Sequence, residues 1–348
     1  MSVRVLITGH LGYVGSVLTP MAVEAGYDVV GLDTGYFAEC TLVPARGSVP
    51  TIQKDLRDLE PADLRGFEAV IHLGALSNDP IGNLNAAWTE EINCHASVRL
   101  AELAKAAGVR RFLFSSSCIM YGMSKAEVVT EKSPLDPKTD YARSKVRAEQ
   151  AIAKLADAAF SPTFLRNGTI YGLSPRMRFD TVLNNLVGSA MAIGKIVLHG
   201  DGSPWRPVAH IEDIARAFLH VLRAPVEAVY NQAFNNGENG MNHQVMSLAK
   251  TTAEVVPGCT IECLARPDAD QRTYQTDFGK FARTFPDFRF QWTVRDGARR
   301  LAEVFAGIGL SHAAFEDRRF TRLKWLSYLL NANRLDTSLR WQAEGARV

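Results

Sequence analysis

Short apolar runs alternate with longer amphipathic stretches through the first half of the chain. The apolar runs predict strands at 3–7, 27–33, 51–54, 69–73, 111–114 and 162–165, and the amphipathic stretches predict helices at 12–25, 88–107 and 141–159. The strands are continuously apolar, which is typical of parallel strands buried on both faces. Their alternation with helices predicts an α/β fold built on a doubly wound parallel sheet.

The pattern changes after about residue 171, where glycine, proline and arginine interrupt the chain. A helix is predicted from 211, Asn242 is a candidate cap for the next helix, and a further strand is predicted at 260–264. We therefore expect a Rossmann-type sheet with a smaller mixed α/β lobe. The predicted boundaries are 1–170 for the sheet domain, with part of 207–235 returning to it, 171–310 for the lobe, and 311–348 for a C-terminal extension.

Composition narrows the class of protein. The 348 residues are 47% apolar and 22% charged, a balance typical of a globular enzyme. The net charge of +2 argues against a nucleic-acid-binding protein, which usually carries a strongly basic surface. Five cysteines without a C-x-x-C pair indicate a reducing compartment. Since no apolar run reaches the length of a membrane span, we expect no membrane association and a cytoplasmic location.

A glycine-rich turn joins the first predicted strand to the first helix. Gly9, Gly12 and Gly15 permit a tight turn, close approach of the backbone to a pyrophosphate, and close packing of the helix on the strand. Free N–H groups at the start of that helix favour an anion. Asp33 ends the second strand, where an acid binds the hydroxyls of an adenosine ribose. Because an acid at this position repels a 2′-phosphate, NAD is favoured over NADP.

A tyrosine and a lysine lie one turn apart in the helix predicted at 141–159. The i,i+4 spacing of Tyr141 and Lys145 places both side chains on one face. A phenol is too weak an acid to serve as a base at neutral pH, and a neighbouring ammonium favours its ionised form. Upstream, a run of three serines that ends at Ser117 closes a predicted strand, where a hydroxyl is placed to bind a substrate oxygen.

As a set, these elements resemble the extended short-chain dehydrogenase/reductase family, and within it the nucleotide-sugar branch. The resemblance covers about 3–310: residues 8–15 fit T-G-x-x-G-x-x-G, residues 55–56 fit the acid–aliphatic pair that contacts adenine, and residues 72–75 fit the strand end beside the cofactor. The implied cofactor-binding residues are Gly9, Gly12, Tyr13, Val14, Gly15, Asp33, Asp55, Leu56, Leu73, Gly74, Ala75, Tyr141 and Lys145.

The resemblance also implies roles at the reacting end. Tyr141 acts as acid/base on a sugar hydroxyl or carbonyl while a hydride passes to or from NAD, Lys145 orients the nicotinamide ribose, and Ser117 polarises the same oxygen. Arg206 resembles the arginine that neutralises the substrate's diphosphate, a role that suits the planar guanidinium. The implied substrate-binding residues are Ser117, Cys118, Thr169, Asn185, Leu186, Arg206 and, as a weaker candidate, Arg272.

Two departures from the family's motifs narrow the reaction. Sugar-nucleotide 4,6-dehydratases carry Asp-Glu after the catalytic hydroxyl residue, where this chain has Cys118 and Ile119. A 4-epimerase or a 4-ketosugar reductase therefore fits better than a dehydratase. Thr169 stands where many relatives have a substrate-binding Asn, so the sugar contacts are expected to differ from those of UDP-hexose epimerases.

The function predicted is that of an NAD-dependent enzyme that acts on a nucleotide-diphosphate sugar by hydride transfer at C4. Alternatives are a dehydratase or decarboxylase-like member, a reductase of a non-sugar ketone and, least favoured, a cofactor-sensing regulator without activity. The apolar stripes at 88–107 and 141–159 suggest a homodimer. Histidines outside the motifs, His95 among them, lack carboxylate or cysteine partners at ligand spacing, so no metal is expected. The nucleotide base and the sugar stay open.

Overall fold

Fourteen β-strands are assigned in the computed structural model, which describes residues 2–77, 79–123, 128–265 and 273–342. They are β1 (Arg4–Thr8), β2 (Asp28–Asp33), β3 (Thr51–Gln53), β4 (Ala69–His72), β5 (Arg111–Ser117), β6 (Val128–Val129), β7 (Ser161–Asn167), β8 (Thr169–Tyr171), β9 (Lys195–His199), β10 (Trp205–His210), β11 (Gln232–Asn236), β12 (Asn242–Gln244), β13 (Thr260–Leu264) and β14 (Gln275–Thr276). Seven form one sheet in the order β11-β7-β5-β4-β1-β2-β3, and every neighbouring pair is parallel. The predicted Rossmann-type sheet is confirmed.

Helices connect these strands and form the outer layers. Within the described residues they are α1 (Gly15–Glu24), α2 (Asp79–Leu84), α3 (Ala86–Thr89), α4 (Ala96–Ala106), α5 (Asp140–Ala153), α6 (Val182–Ile193), α7 (Ile211–Arg223), α8 (Val226–Val229), α9 (Val245–Val255), α10 (Gly279–Thr284), α11 (Val294–Gly307), α12 (His312–Phe315) and α13 (Arg322–Asn331). A π-helical segment, Glu90–His95, joins α3 to α4, so the helix predicted at 88–107 is not uniformly α-helical.

Alternation along the central strands divides the core into two layers. In β1, Val5 and Ile7 face the layer that contains α1 and α7, whereas Leu6 faces the layer that contains α4 and α5. All three side chains are fully buried, because successive residues of a strand point to opposite faces and helices cover both faces. The apolar stripes of α4 and α5 are directed into this core, at Leu100 and Ile152 among others. The homodimer stays a prediction.

The chain beyond β7 builds a smaller lobe and twice returns to the main sheet. β8, β10 and β12 form a three-stranded sheet and β9 pairs with β13. Helices α6, α9 and α11 pack around an apolar core that includes Leu183, Leu248 and Leu301. In the same stretch, α7 packs on the central sheet and β11 adds its edge strand. The domain boundaries stay a prediction. The two returns of the chain, through α7 and β11, hold the lobe against the central sheet.

Residues 311–342 of the C-terminal extension pack over the loop that follows β2. Their apolar side chains form a cluster with side chains of that loop and of α3, among them Tyr36 and Trp88. The indole N–H of Trp325 donates to the backbone O of Tyr36, and that of Trp341 to the backbone O of Thr34, each at 2.7 Å. Hydrophobic patterning did not place this segment, because its partners lie some three hundred residues earlier in the chain.

Two predicted helix limits are wrong for local reasons. The helix predicted at 141–159 ends at Ala153, and Asp157 accepts two backbone N–H bonds in the turn that follows. Asn242 does not cap a helix, since it begins β12 and its side-chain amide bonds the backbone N–H and O of Thr276. In both places a polar side chain forms hydrogen bonds with backbone groups outside a helix. The spacing of apolar residues along the chain does not predict such bonds.

Leu326 on α13 tests whether the extension belongs to the folded core. Its side chain has no exposed surface, so Leu326→Ala is expected to lower the free energy of unfolding by about 2–5 kcal/mol through lost burial and a new cavity. Urea denaturation measures this change. Leu84→Ala is the control: Leu84 is 51% exposed, and a change below about 0.5 kcal/mol is expected. Equal effects at the two positions would show that the extension is not part of the core.

Candidate active site

A cavity of about 1060 Å³ lies at the carboxyl ends of the central strands, between the sheet and the lobe. Residues from the ends of β1, β2, β4 and β5 line it, together with residues of α5, α6 and β10. β1 stands between β2 and β4, where the strand order reverses. Ligands of doubly wound proteins bind at such a reversal.

The turn after β1 brings separate backbone segments into close approach. Gly9 has a φ of 71°, and its N–H donates to the backbone O of Leu32 at 2.8 Å. A Cβ at Gly9 would lie 2.7 Å from the backbone N of Gly74, and one at Gly15 would lie 2.5 Å from the Cα of His10. Glycine is therefore required at both positions. α1 begins at Gly15 without a side-chain cap, and the positive end of its dipole at this turn favours the phosphates of a dinucleotide.

Asp33 ends β2 at the adjoining wall of the cavity. Its Oδ1 accepts the N–H of Gly35 at 2.8 Å, and its Oδ2 accepts the N–H of Leu11 at 3.1 Å. Burial raises the pKa of the Asp33 carboxyl, while these hydrogen bonds and the neighbouring His10 act in the opposite direction. Because Leu11 belongs to the glycine turn, the carboxylate ties that turn to the end of β2.

Asp55 and Leu56 follow β3 and line the same part of the cavity. Arg57 donates to the Asp55 carboxylate from Nη2 at 2.7 Å and from its backbone N–H at 2.9 Å. Burial raises the pKa of the Asp55 carboxyl, but the bonds from Arg57 outweigh burial and hold the pKa below its ordinary value. Asp55 is thus an anion already paired by a residue that sequence reasoning missed, and Leu56 presents an apolar surface.

Ser117, Tyr141 and Lys145 come together on the cavity wall. Ser117 is the last residue of β5, and the other two lie one turn apart on α5. The Nζ of Lys145 donates to the backbone O of Ser115 at 2.8 Å and lies 4.6 Å from the ring centroid of Phe114. The same Nζ lies 6.0 Å from the ring centroid of Tyr141, so the lysine and the tyrosine are neighbours on this wall.

Burial governs the charge of Lys145. Its side chain is nearly inaccessible, and burial lowers the pKa of Lys145 from 10.5 to about 7, against the opposing effect of the Glu149 carboxylate. Near neutral pH the lysine is therefore balanced between ammonium and amine. An anion bound beside it favours the ammonium form.

A buried polar network lies beneath this group. Glu149 accepts hydrogen bonds from Nε of Arg166 at 3.1 Å and from Oγ of Ser116 at 2.8 Å. The Tyr121 hydroxyl accepts from Nη1 of Arg166 at 2.9 Å and donates to Oδ1 of Asn235 at 2.7 Å. Sequence reasoning missed these residues, although Glu149 lies one helical turn after the predicted lysine. The network joins α5, β5, β7 and β11 at the floor of the site.

The lobe contributes the other side of the cavity. Four of the predicted substrate residues line it: Thr169, Asn185, Leu186 and Arg206. The Nδ2 of Asn185 donates to the backbone O of Phe179 at 3.0 Å, which fixes the side chain at the start of α6. The Nη1 of Arg206 donates to the backbone O of Trp205 at 2.9 Å. The structure therefore brings these residues and the predicted cofactor residues to one continuous space.

Arg178 and Asp180 line the lobe side as well and were not predicted. Arg178 donates from Nε to Oδ1 of Asp180 at 2.8 Å and from Nη2 to Oδ2 at 3.2 Å, and its Nη1 donates to Oγ of Ser77 at 3.0 Å. The ion pair is buried on both sides. One feature of the sequence could have indicated these residues: two arginines, Arg176 and Arg178, follow shortly after Tyr171 and Gly172.

Cys118 is not brought to the cavity, which corrects its interpretation as a substrate contact. Its side chain is 1% exposed, and Sγ donates to the backbone O of Arg166 at 3.1 Å. Burial raises the pKa of the Cys118 thiol to about 12. Ser117 faces the cavity while Cys118, the next residue, points away from it. Arg272, the weaker candidate for the diphosphate, lies outside the described residues.

The expectation that His95 has no carboxylate or cysteine partner at metal-ligand spacing is wrong, because Glu90 and Cys94 lie beside it. Their ligand atoms lie within 4.8 Å of one another. The wide turn of the π-helical segment brings residues four and five apart onto one face. Glu90 is paired with Arg147 at 2.9 Å and His95 is exposed, so we assign no metal to this group.

The glycine turn, the acid that ends β2 and the Tyr-x-x-x-Lys pair on one cavity are the features of a dinucleotide-dependent enzyme of the doubly wound class. The model of the NAD dependent epimerase/dehydratase family matches residues 5–237. The chain belongs to this family, and the resemblance to nucleotide-sugar enzymes of the extended short-chain type is confirmed. Its cofactor is NAD, and the glycine cradle beside the start of α1 fits that group.

Individual relatives agree with this placement. The UDP-glucose 4-epimerase of Corynebacterium glutamicum is 30% identical over 270 residues, which cover 72% of this chain and 80% of that protein. The UDP-glucose 4-epimerase of Bacillus subtilis is 27% identical over 308 residues, with 77% and 90% covered. The solved structure of MoeE5 in complex with UDP-glucuronic acid and NAD is 27% identical, has a TM-score of 0.76, and covers 87% of this chain and 99% of that one.

Among the described residues, no helix has the length and apolar character needed to span a membrane.

The lowered pKa of Lys145 predicts a pH dependence of stability. Between about pH 7 and 10.5 the unfolded chain keeps a proton on this lysine that the folded chain has released, so stability from this group rises with pH. In Lys145→Met this contribution is absent. The unfolding free energy of the variant minus that of the wild type is therefore expected to fall as pH rises through this window, measured by urea denaturation of cofactor-free protein. Lys154→Met, at an exposed position just after α5, is expected to show no such trend. Parallel curves for wild type and Lys145→Met would contradict the assignment.

Proposed function

We propose that this protein acts on a nucleotide-diphosphate sugar and transfers a hydride at C4 of the sugar, with Tyr141 as the acid/base. The observation that carries the proposal is the placement of Ser117, Tyr141 and Lys145 between the glycine turn and the lobe residues of a single cavity. A ligand with one end at Arg206 has room to extend to Tyr141, since both residues line the same space.

The three residues divide the chemistry of an alcohol oxidation. Bound NAD would supply the hydride acceptor for the sugar carbon and, in the reverse step, the hydride donor. Ionised Tyr141 removes the hydroxyl proton as the carbon–hydrogen bond breaks, so that a ketone forms, and it gives the proton back in the reverse step. The Lys145 ammonium stabilises the phenolate, because opposite charges lower the pKa of the acid. The Ser117 hydroxyl donates a hydrogen bond to the same oxygen and holds it at the tyrosine.

Dehydration across C5–C6 is not supported by the lining of the cavity. The carboxylates among its described lining residues are Asp33, Asp55 and Asp180, and each is held by hydrogen bonds. After Ser117 the chain places Ile119 in the cavity and buries Cys118 away from it. Neither side chain removes or donates the protons that elimination of water requires. An epimerase or a 4-ketosugar reductase is therefore favoured, and the similarity to two UDP-glucose 4-epimerases supports the former.

Tyr141→Phe is expected to lower kcat by about 10²–10⁴-fold while NAD stays bound, because only the acid/base hydroxyl is removed. UDP-, dTDP-, GDP- and CDP-hexoses are offered as substrates, interconversion is followed by chromatography, and NAD is released by denaturation and measured. Tyr230→Phe, at a tyrosine that is 38% exposed, serves as the control and is expected to be unchanged. A fully active Tyr141→Phe enzyme would overturn the assignment.

Arg206→Ala is expected to weaken binding of the nucleotide sugar by about tenfold or more and to leave NAD affinity within about twofold, because a charge-assisted bond to the substrate's diphosphate is lost. Calorimetric titration with the active nucleotide sugar and with NAD separates the two ligands. Arg299→Ala on the exposed face of α11 is the matched control. Equal losses for both ligands would contradict the place given to the substrate.

A further inference from the structure

The C-terminal extension reaches the cavity. Thr321, Arg322 and Leu323, at the start of α13, are among its lining residues. Tryptophan N–H bonds hold the extension on the loop after Asp33, and the indole of Trp88 adds a third bond, to the backbone O of Thr337 at 2.8 Å. The extension is therefore a wall of the site on the side where β2 ends.

Arg322 is the charged group that this wall presents. It is 4% exposed, and its guanidinium lies 4.4 Å from the ring centroid of Phe37. The Nη2 donates to the backbone O of Arg176 at 2.9 Å, and the backbone N–H donates to Oδ2 of Asp180 at 3.2 Å. The Nη1 is buried and has no hydrogen-bond partner among the described residues.

Among the residues that the structure describes, no carboxylate forms an ion pair with the Arg322 guanidinium. The Asp180 carboxylate is a neighbour of this cation, but its two oxygens already bind the guanidinium of Arg178. Burial and the neighbouring Arg178 lower the pKa of Arg322 to about 10, with the Asp180 carboxylate acting against them. A buried cation without a partner destabilises a folded chain, and an anionic ligand that supplies the missing partner offsets this cost.

The position of Arg322 indicates which anionic ligand it binds. Phe37, on which the guanidinium stacks, lies in the loop directly after Asp33. Arg176, whose carbonyl accepts from Arg322, interacts through its charge with Asp33 and His10. Both contacts place Arg322 near the end of β2, where the adenosine half of a dinucleotide is expected. The substrate's diphosphate is assigned instead to Arg206 on β10.

We propose that Arg322 is a cofactor-binding residue, whose guanidinium pairs with a phosphate of NAD and so attaches the C-terminal extension to the bound dinucleotide. The proposal rests on the proposed function only in that NAD occupies this cavity. Its test measures binding rather than turnover, so a failure here is distinct from a failure of the C4 reaction or of the role given to Tyr141.

Arg322→Met is compared with Arg319→Met in cofactor-free protein by calorimetric titration with NAD, ADP-ribose and adenosine. Methionine keeps the packing on Phe37 but removes the donors. Arg319 lies on the same extension, half exposed and paired with Asp317. For Arg322→Met the Kd of NAD and of ADP-ribose is expected to rise about 10–100-fold, that of adenosine to be unchanged, and Arg319→Met to stay within about twofold of wild type. An unchanged Kd for NAD would overturn the proposal, and so would an equal loss for adenosine.

Thermal unfolding separates a binding role from a structural one. Without NAD, Arg322→Met is expected to unfold at or above the wild-type temperature, because a buried unpaired cation is gone, while the increase produced by NAD becomes smaller. A lower temperature without NAD and an undiminished increase with it would overturn the proposal. Should Arg322→Met fail to fold, Arg322→Lys replaces it and is expected to show a smaller rise in the Kd of NAD. Weaker binding of UDP-glucose with NAD binding unchanged would assign Arg322 to the substrate instead.

Discussion

The geometry of the site depends on one buried ion pair, between Arg166 on β7 and Glu149 on α5. The two side chains are only 7% and 9% exposed, so each charge relies on the other. Loss of one partner from such a pair costs about 3–5 kcal/mol, which makes the position of α5 on the sheet strongly determined. Ser116 adds a bond from β5 to the same carboxylate. Tyr141 and Lys145 on α5 are thereby held beside Ser117 at the end of β5.

Electrostatics in this protein are local. A net charge of +2 indicates no polyanionic partner, yet NAD and a nucleotide sugar each carry a diphosphate. The positive groups that line the cavity proposed for these ligands are separate features of the fold: the uncapped start of α1, Lys145, Arg206 and Arg322. Each lies on a different element, so only the folded chain gathers them around one cavity. Acidic residues nearly balance the basic residues over the whole chain, so the net charge does not reveal these local positive groups.

Short motifs predicted much of the site because backbone geometry alone gives them meaning. Gly9 and Gly15 are needed wherever a strand turns closely into a helix, and Tyr141 and Lys145 share a face on any α-helix. The same reasoning could also have predicted the burial of Cys118 and the place of Glu149 beside the site. Cys118 follows Ser117 and points away from the cavity, and Glu149 follows Lys145 by one helical turn. Arg57 and Asp180 were out of reach, since their roles depend on neighbours rather than on spacing.

The sequence by itself determined the parallel sheet, the dinucleotide turn, the acid at the end of β2 and the residues proposed for proton transfer, because each is encoded by periodicity or by a run of a few residues. Tertiary structure alone decided that the C-terminal extension covers the loop after β2, that Arg322 reaches the cavity, and that the Arg166–Glu149 pair lies beneath it. These contacts join segments that are far apart in the chain. The hydrophobic pattern of a helix or strand predicts which of its side chains are buried, but it does not predict which segment they pack against.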